Sequence, residues 1–211
     1  MNIIALTDSD FSASGTPAQF EQCVLHDKRA THIHRTLKST IGDTLRVGFV
    51  NGLLGTAVII AMTSNTPTND TVTLHVTLEE QPPAPLPITL FLALPRPNMI
   101  ARLLRDVTSL GIKNIHLFHS EKVEKSFWQT PTLFPETIRD KLTEGLSQAR
   151  DTVLPQVHTH QKYRAMLDTA LPATLATHTG ILADPYSPQA VLPAQFEQPL
   201  ALMIGPEGGF T

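Results

Sequence analysis

Between residues 79 and 87 the chain reads Glu-Glu-Gln-Pro-Pro-Ala-Pro-Leu-Pro, four prolines in nine residues. Each proline fixes φ and lacks an amide hydrogen, so this stretch cannot lie inside a helix or a central strand, and it predicts a stiff, extended linker. It divides the 211 residues into segments 1–78 and 88–211. At 41% hydrophobic content the chain can give each segment a core of its own.

The first segment carries the signals of a small β-rich domain. Asn2 to Leu6 and Phe20 to Leu25 read as short strands, and Leu45, Val47 and Phe49 alternate along 44–50. Asn51-Gly52 supplies the positive φ angles of a tight hairpin, so Leu53 to Met62 is the returning strand. Thr71 to Leu78, with β-branched residues at alternate positions, is a further strand, and such a series predicts a small barrel. One helix interrupts it, from Asp27 as N-cap to about Leu37, with Ala30, Ile33 and Leu37 on one face. Lys28, His32 and Arg35 share another face, flanked by His34 and Lys38. Spacing alone fits a phosphate-binding stripe and an ordinary solvated face equally.

Beyond the prolines the period changes to alternating strands and helices. Ile88 to Leu94 is a buried strand; a helix follows through Met99, Ile100, Leu103, Leu104, Val107 and Leu110, capped by Gly111; Asn114 to Phe118 is the next strand. This β-α-β order predicts a parallel sheet. A second helix spans Glu136 to Ala149, followed by a strand at Val157 to His160, a helix at Lys162 to Leu171 and a strand at Gly180 to Ala183. Leu200 to Ile204, apolar throughout, predicts a last strand buried on both faces. It opens into Gly205-Pro206-Glu207-Gly208-Gly209-Phe210-Thr211, where main-chain groups can approach a small molecule closely. In open α/β sheets ligands bind at such carboxyl ends, although a tight structural turn has the same composition.

A net charge of −3 excludes a general nucleic-acid coat but not a local basic patch. The single cysteine, Cys23, excludes an internal disulfide and reads as a buried structural thiol. No apolar run is long enough to span a bilayer and the start lacks a secretory pattern, so a cytoplasmic protein with no membrane partner is expected. The pairs His32/His34 and His158/His160 lack a third ligand from a cysteine or carboxylate cluster, so no metal site is expected. Trp128, the sole tryptophan, suits either packing or stacking on a base.

Several of these words resemble a known family. Gly205-Pro206-Glu207-Gly208-Gly209-Phe210 is similar to the cofactor loop of the ribosomal RNA small subunit methyltransferase E family, knotted enzymes of the SPOUT superfamily. His32-Ile33-His34-Arg35-Thr36-Leu37-Lys38 with Ile41-Gly42-Asp43 is similar to its N-terminal signature, Lys38 standing where the family usually has arginine. Leu94-Pro95-Arg96, Leu110-Gly111-Ile112, and Glu144 through Gln148-Ala149-Arg150 with Pro155 are similar to further landmarks. Ser109 stands where many members carry Glu, and Glu121-Lys122 where they carry Glu-Arg.

The resemblance implies an α/β protein with an N-terminal PUA-like β-barrel for RNA and a C-terminal SPOUT trefoil-knot domain. The knot would be incomplete, since family chains run on past this loop through a helix, a strand and a second cofactor stretch. The implied activity is S-adenosylmethionine-dependent methylation of uridine N3 in 16S ribosomal RNA of the small ribosomal subunit, by a homodimer. The alternative is a non-catalytic RNA- or ribosome-binding module. Gly205, Pro206, Glu207, Gly208 and Gly209 would contact the cofactor, and Lys28, His32, Arg35, Lys38 and Arg96 the RNA. Glu207 could bind cofactor, help remove the N3 proton or cap a helix, and Arg96 could meet substrate or merely sit at the surface; no general base is assigned.

Overall fold

The computed structural model describes residues 2–11, 22–64, 70–183 and 196–210. It forms two compact units, Met1–Pro83 with Leu146–Val153, and Ala84–Gly145 with Leu154–Thr211.

The first unit is a mixed five-stranded sheet in the order β1-β3-β4-β5-β2. The strands are β1 (Ile4–Leu6), β2 (Gln22–Leu25), β3 (Thr44–Phe49), β4 (Leu54–Ser64) and β5 (Asp70–Glu80). β1 runs parallel to β3 and the other pairs are antiparallel. The predicted hairpin is present, with Asn51 at φ 62° between β3 and β4. Phe20, at the start of the second predicted strand, lies outside the described residues. The sheet curls into a half-barrel. Among the described residues a single isolated bridge, Phe11 to Cys23, joins the segment after β1 to the edge strand β2. Inward-facing Leu6, Leu25, Val47, Ile59, Val72 and Leu74 form the core. β5 continues to Glu80, two residues beyond the expected strand, where Glu80 pairs with Leu54 and its carboxylate takes two 2.7 Å bonds from Arg46. Leu146–Val153 packs with this unit: Ser147 O accepts from Asn2 and Ile3 N–H at 2.8 and 3.1 Å, and Thr152 O from Asn51 N–H at 2.7 Å.

The predicted helix of this unit differs from expectation. Only Lys28–Thr31 (α1) is α-helical, N-capped by Asp27, and His32–Thr36 widens into a π-turn. The Leu37 N–H donates to His32 O at 2.9 Å, and this wider turn shifts the helical phase. Ala30 and Ile33 stay buried, but Leu37, expected on their face, is 43% exposed.

The second unit is a parallel five-stranded sheet, β8-β7-β6-β10-β9. β6 (Ile88–Ala93) leads into α2 (Pro97–Ser109), then β7 (Asn114–Phe118) and α3 (Pro135–Ala149), which belongs to this unit as far as Gly145. β8 (Gln156–His160), α4 (Tyr163–Asp168), α5 (Ala170–Leu175), β9 (Thr179–Ala183) and β10 (Leu200–Ile204) complete it. α2 buries Ile100, Leu104 and Val107 with Phe91, Ile115 and Leu117 of the sheet. The single helix expected over 162–171 is two short ones broken at Thr169, because Pro172 has no amide hydrogen to continue the ladder. β10 is inserted between β6 and β9, yet only Ala201 is fully buried along it. The expectation of burial on both faces is corrected: the neighbour β9 is itself largely exposed, Leu182 by 55%, so cover runs out at this end of the sheet.

Candidate functional site

In a parallel sheet every strand points its carboxyl end the same way, so the loops after β10, β6, β7 and β8 share one crest of the second unit. The loop after β10 folds on itself. Gly209, at φ 73°, donates its N–H to Pro206 O at 2.8 Å, and the Phe210 ring tucks beneath Gly205. A Cβ on Gly205 would lie 2.7 Å from that ring, so a side chain there would force Phe210 to shift, and glycine leaves the backbone bare. Phe210 in turn lies parallel to buried Phe118 at the end of β7, with centroids 6.4 Å apart.

Two side chains hold this loop from neighbouring strand ends. Arg96, between β6 and α2, places Nε 3.0 Å from Glu207 Oε2. Both are mostly exposed, so the pair contributes little to stability but sets a cation and a carboxylate side by side on the crest. Lys122, after β7, donates from Nζ to Gly208 O at 2.7 Å. Sequence reasoning assigned Lys122 no role, although its place in the Glu121-Lys122 landmark was a signal. Gly205, Pro206, Glu207, Gly208 and Arg96 thus come together; Thr211 lies outside the described residues.

Lys28, His32, Arg35 and Lys38 belong to the first unit. Lys28 and Lys38 are exposed, Lys38 with φ 54° where the π-turn ends. His32 is half-buried, with Nε2 enclosed by protein. Arg35 donates from Nε to Asp70 Oδ2 at 2.9 Å, and His34 Nδ1 lies 3.4 Å from Asp70 Oδ1. The stripe is therefore less free than its spacing suggests, because Asp70, 1% exposed, neutralises part of it from beneath. Arg29, which no periodicity singled out, is structural: it donates to Ala5 O at 2.6 Å and to both Asp10 oxygens at 2.8 and 2.6 Å. Cys23 sits beside this pair, fully buried, and burial pushes its thiol up to about 12.

On the edge of the sheet, register brings His116 of β7 opposite His158 of β8 and Phe91 of β6. His116 stacks on Phe91 at 4.4 Å and on His158 at 4.7 Å, while the His160 ring lies within 9° of its plane, centroids 5.1 Å away, and meets it edge to edge, His116 Nδ1 sharing a hydrogen with His160 Nε2 at 2.9 Å. Burial, then the neighbouring imidazoles, push His116 down to about 4; burial and His158 lower His160 as well. Among the described residues no group of three or more His, Cys, Asp and Glu is placed to hold a metal. Trp128 is half-buried and donates from Nε1 to His119 Nδ1 at 3.2 Å.

The sequence pattern of the RNA methyltransferase domain family matches residues 82–211. The chain is 34% identical over 158 residues to ribosomal RNA small subunit methyltransferase E of Treponema pallidum, covering 75% of this chain and 55% of that protein. It thus spans about half the length of this curated relative. Among solved structures, ribosomal RNA small subunit methyltransferase E from Neisseria gonorrhoeae, bound to S-adenosylmethionine, superposes with a TM-score of 0.63 at 18% identity. That superposition covers 99% of this chain and 81% of that one. A predicted RNA methyltransferase from Thermotoga maritima gives 0.61 at 18%, over 99% and 83%. At such identities the structures show a shared fold. Among the described residues no helix is long and apolar enough to cross a membrane.

Proposed function

Because the chain belongs to the RNA methyltransferase domain family, we propose that it transfers a methyl group from S-adenosylmethionine to N3 of a uridine in 16S ribosomal RNA of the small subunit. The observation that carries this reading is the loop Gly205–Gly209, folded on Phe210 and held by Lys122 and Arg96 at the carboxyl ends of a parallel sheet. The methionine-derived cofactor has an adenine, a ribose and an amino-acid tail but no phosphate, so it needs backbone donors and acceptors rather than a cluster of cations. A loop whose backbone is bare at Gly205 offers them, and Gly205, Pro206, Glu207, Gly208 and Gly209 would hold it. When bound, the cofactor supplies an electrophilic methyl carbon.

The chain's own part is positioning and charge. N3 of uridine becomes nucleophilic once its imide proton leaves, and negative charge then spreads onto the flanking carbonyl oxygens. The exposed Arg96 guanidinium suits that charge, and Glu207 steadies it on the crest. Holding the two reactants in line supplies much of the rate. In the first unit, Lys28, His32, Arg35 and Lys38 would meet RNA phosphates, with Arg35 contributing less because Asp70 already engages it. Assembly as a homodimer belongs to the same reading and rests on the resemblance.

The test is to incubate the protein and S-adenosylmethionine with small subunits lacking the modification, digest the RNA and measure 3-methyluridine by mass spectrometry. A new 3-methyluridine peak, lost when Gly205 is replaced by Ala, is the expected outcome. Methyl transfer to another base would refute the N3 assignment. RNA binding with neither cofactor binding nor transfer would favour a non-catalytic module.

A further inference from the structure

The crest extends past the glycine loop, and short bonds tie its parts together. Lys122 links the β7 end to Gly208, Leu94 N–H donates to Phe118 O at 2.8 Å, and His119 N–H donates to His160 O at 2.8 Å. At its far end, beyond edge strand β8, lies an open cleft of about 340 Å³ lined by Thr159, His160, Gln161, Lys162, Met166 and Thr169. Its floor is fixed: Met166 is fully buried, and Tyr163 stacks on Phe118 with centroids 5.7 Å apart. Apart from Ala165 and Met166 its lining is polar, Lys162 is exposed, and no described lining residue is acidic. The nearby Arg164 is engaged by Asp168 at 3.1 Å, leaving Lys162 as the cation of the lining.

We propose that this cleft is a subsite for a nucleotide of single-stranded RNA flanking the one that is methylated. Lys162 contacts its phosphate, and Thr159, Gln161 and Thr169 contact its base or ribose. The chemistry fits. Single strands are held by a cation following the backbone with polar and aromatic groups meeting the exposed bases. His119, at the end of β7 between this cleft and the glycine loop, is tied through its backbone to His160 and through its ring to the Trp128 indole, which sets both side chains along the same crest. The volume falls at the lower end of the roughly 300–1,000 Å³ typical of small-molecule sites, enough for one nucleotide and too little for a folded duplex end. Because neighbouring strand ends are bonded to one another, a ligand in the cleft is held at a set distance from the loop. This inference rests on the RNA methyltransferase reading above and adds to it a second contact point on the substrate.

The experiment titrates the protein with a short single-stranded oligouridylate at several salt concentrations, following the fluorescence of Trp128, the only tryptophan. Binding of S-adenosylhomocysteine is measured calorimetrically in parallel. Lys162→Glu is expected to weaken RNA binding about five- to tenfold and to reduce the salt slope by about one. Lys162→Arg should restore both, and Gln161→Ala should weaken binding about threefold without changing the slope. S-adenosylhomocysteine affinity should stay unchanged in all three. If Lys162→Glu and Gln161→Ala bind RNA within twofold of the parent, the subsite is refuted while the methyltransferase reading stands. If the parent binds neither oligouridylate nor S-adenosylhomocysteine, both fail.

Discussion

Acidification should loosen the edge of the parallel sheet at a pH set by the histidine stack. His116 is held between Phe91 and two other imidazoles, and its Nδ1 shares one hydrogen with His160 Nε2 at 2.9 Å. Burial first, and then the neighbouring imidazoles of His158 and His160, penalise a cation here, so the folded protein resists a second proton down to about pH 4, against an ordinary value of 6.5. The unfolded chain therefore binds more protons between those limits. The stabilising contribution is complete above about 6.5 and is lost as pH falls toward 4. Expressed in full, the shift amounts to about 3 kcal/mol; screening at this half-buried edge reduces it to about 1–2 kcal/mol. Urea unfolding followed by circular dichroism at pH 7.5, 6, 5 and 4.5 would measure it, comparing the parent with His116→Phe. The variant keeps the stack on Phe91 and removes the titrating group, so its stability should fall less steeply across this window. Parallel curves for the two proteins would refute the reasoning.

Three other outcomes follow from the first unit. Gly55→Ala should cost at least about 3 kcal/mol, since a Cβ there would stand 1.8 Å from Thr77 O, and thermal unfolding should show it. Arg29→Met should cost about 3–5 kcal/mol by leaving Asp10 buried without its cation, while Arg29→Met combined with Asp10→Leu should recover part of the loss. Cys23, fully buried with its thiol pushed up to about 12, should resist a thiol reagent at pH 8 in the native protein and react at once in urea.

What could be read in one dimension was what depends on neighbours along the chain. The Asn51-Gly52 hairpin follows from local backbone preference, and Leu45, Val47 and Phe49 from the two-residue period of a half-buried strand. α2 announced itself through Ile100, Leu104 and Val107 and stopped at Gly111, at φ 87°. The glycine loop was visible as a place where backbone must come close to something. Tertiary structure decided the rest. It inserted β10 between β6 and β9 and so brought Glu207 to Arg96 and Gly208 to Lys122, contacts spanning more than eighty residues that no period encodes. It reset the phase of the helix after Asp27 with one wide turn, exposing Leu37 and giving Arg35 to Asp70. It stacked His116 between Phe91 and His158 through strand register, which depends on how three separate strands pair. Local preference acts through a few bonds, whereas pairing and packing are settled only when distant segments compete for the same partners. This chain therefore wrote its elements into its sequence and left the company its site residues keep to the fold.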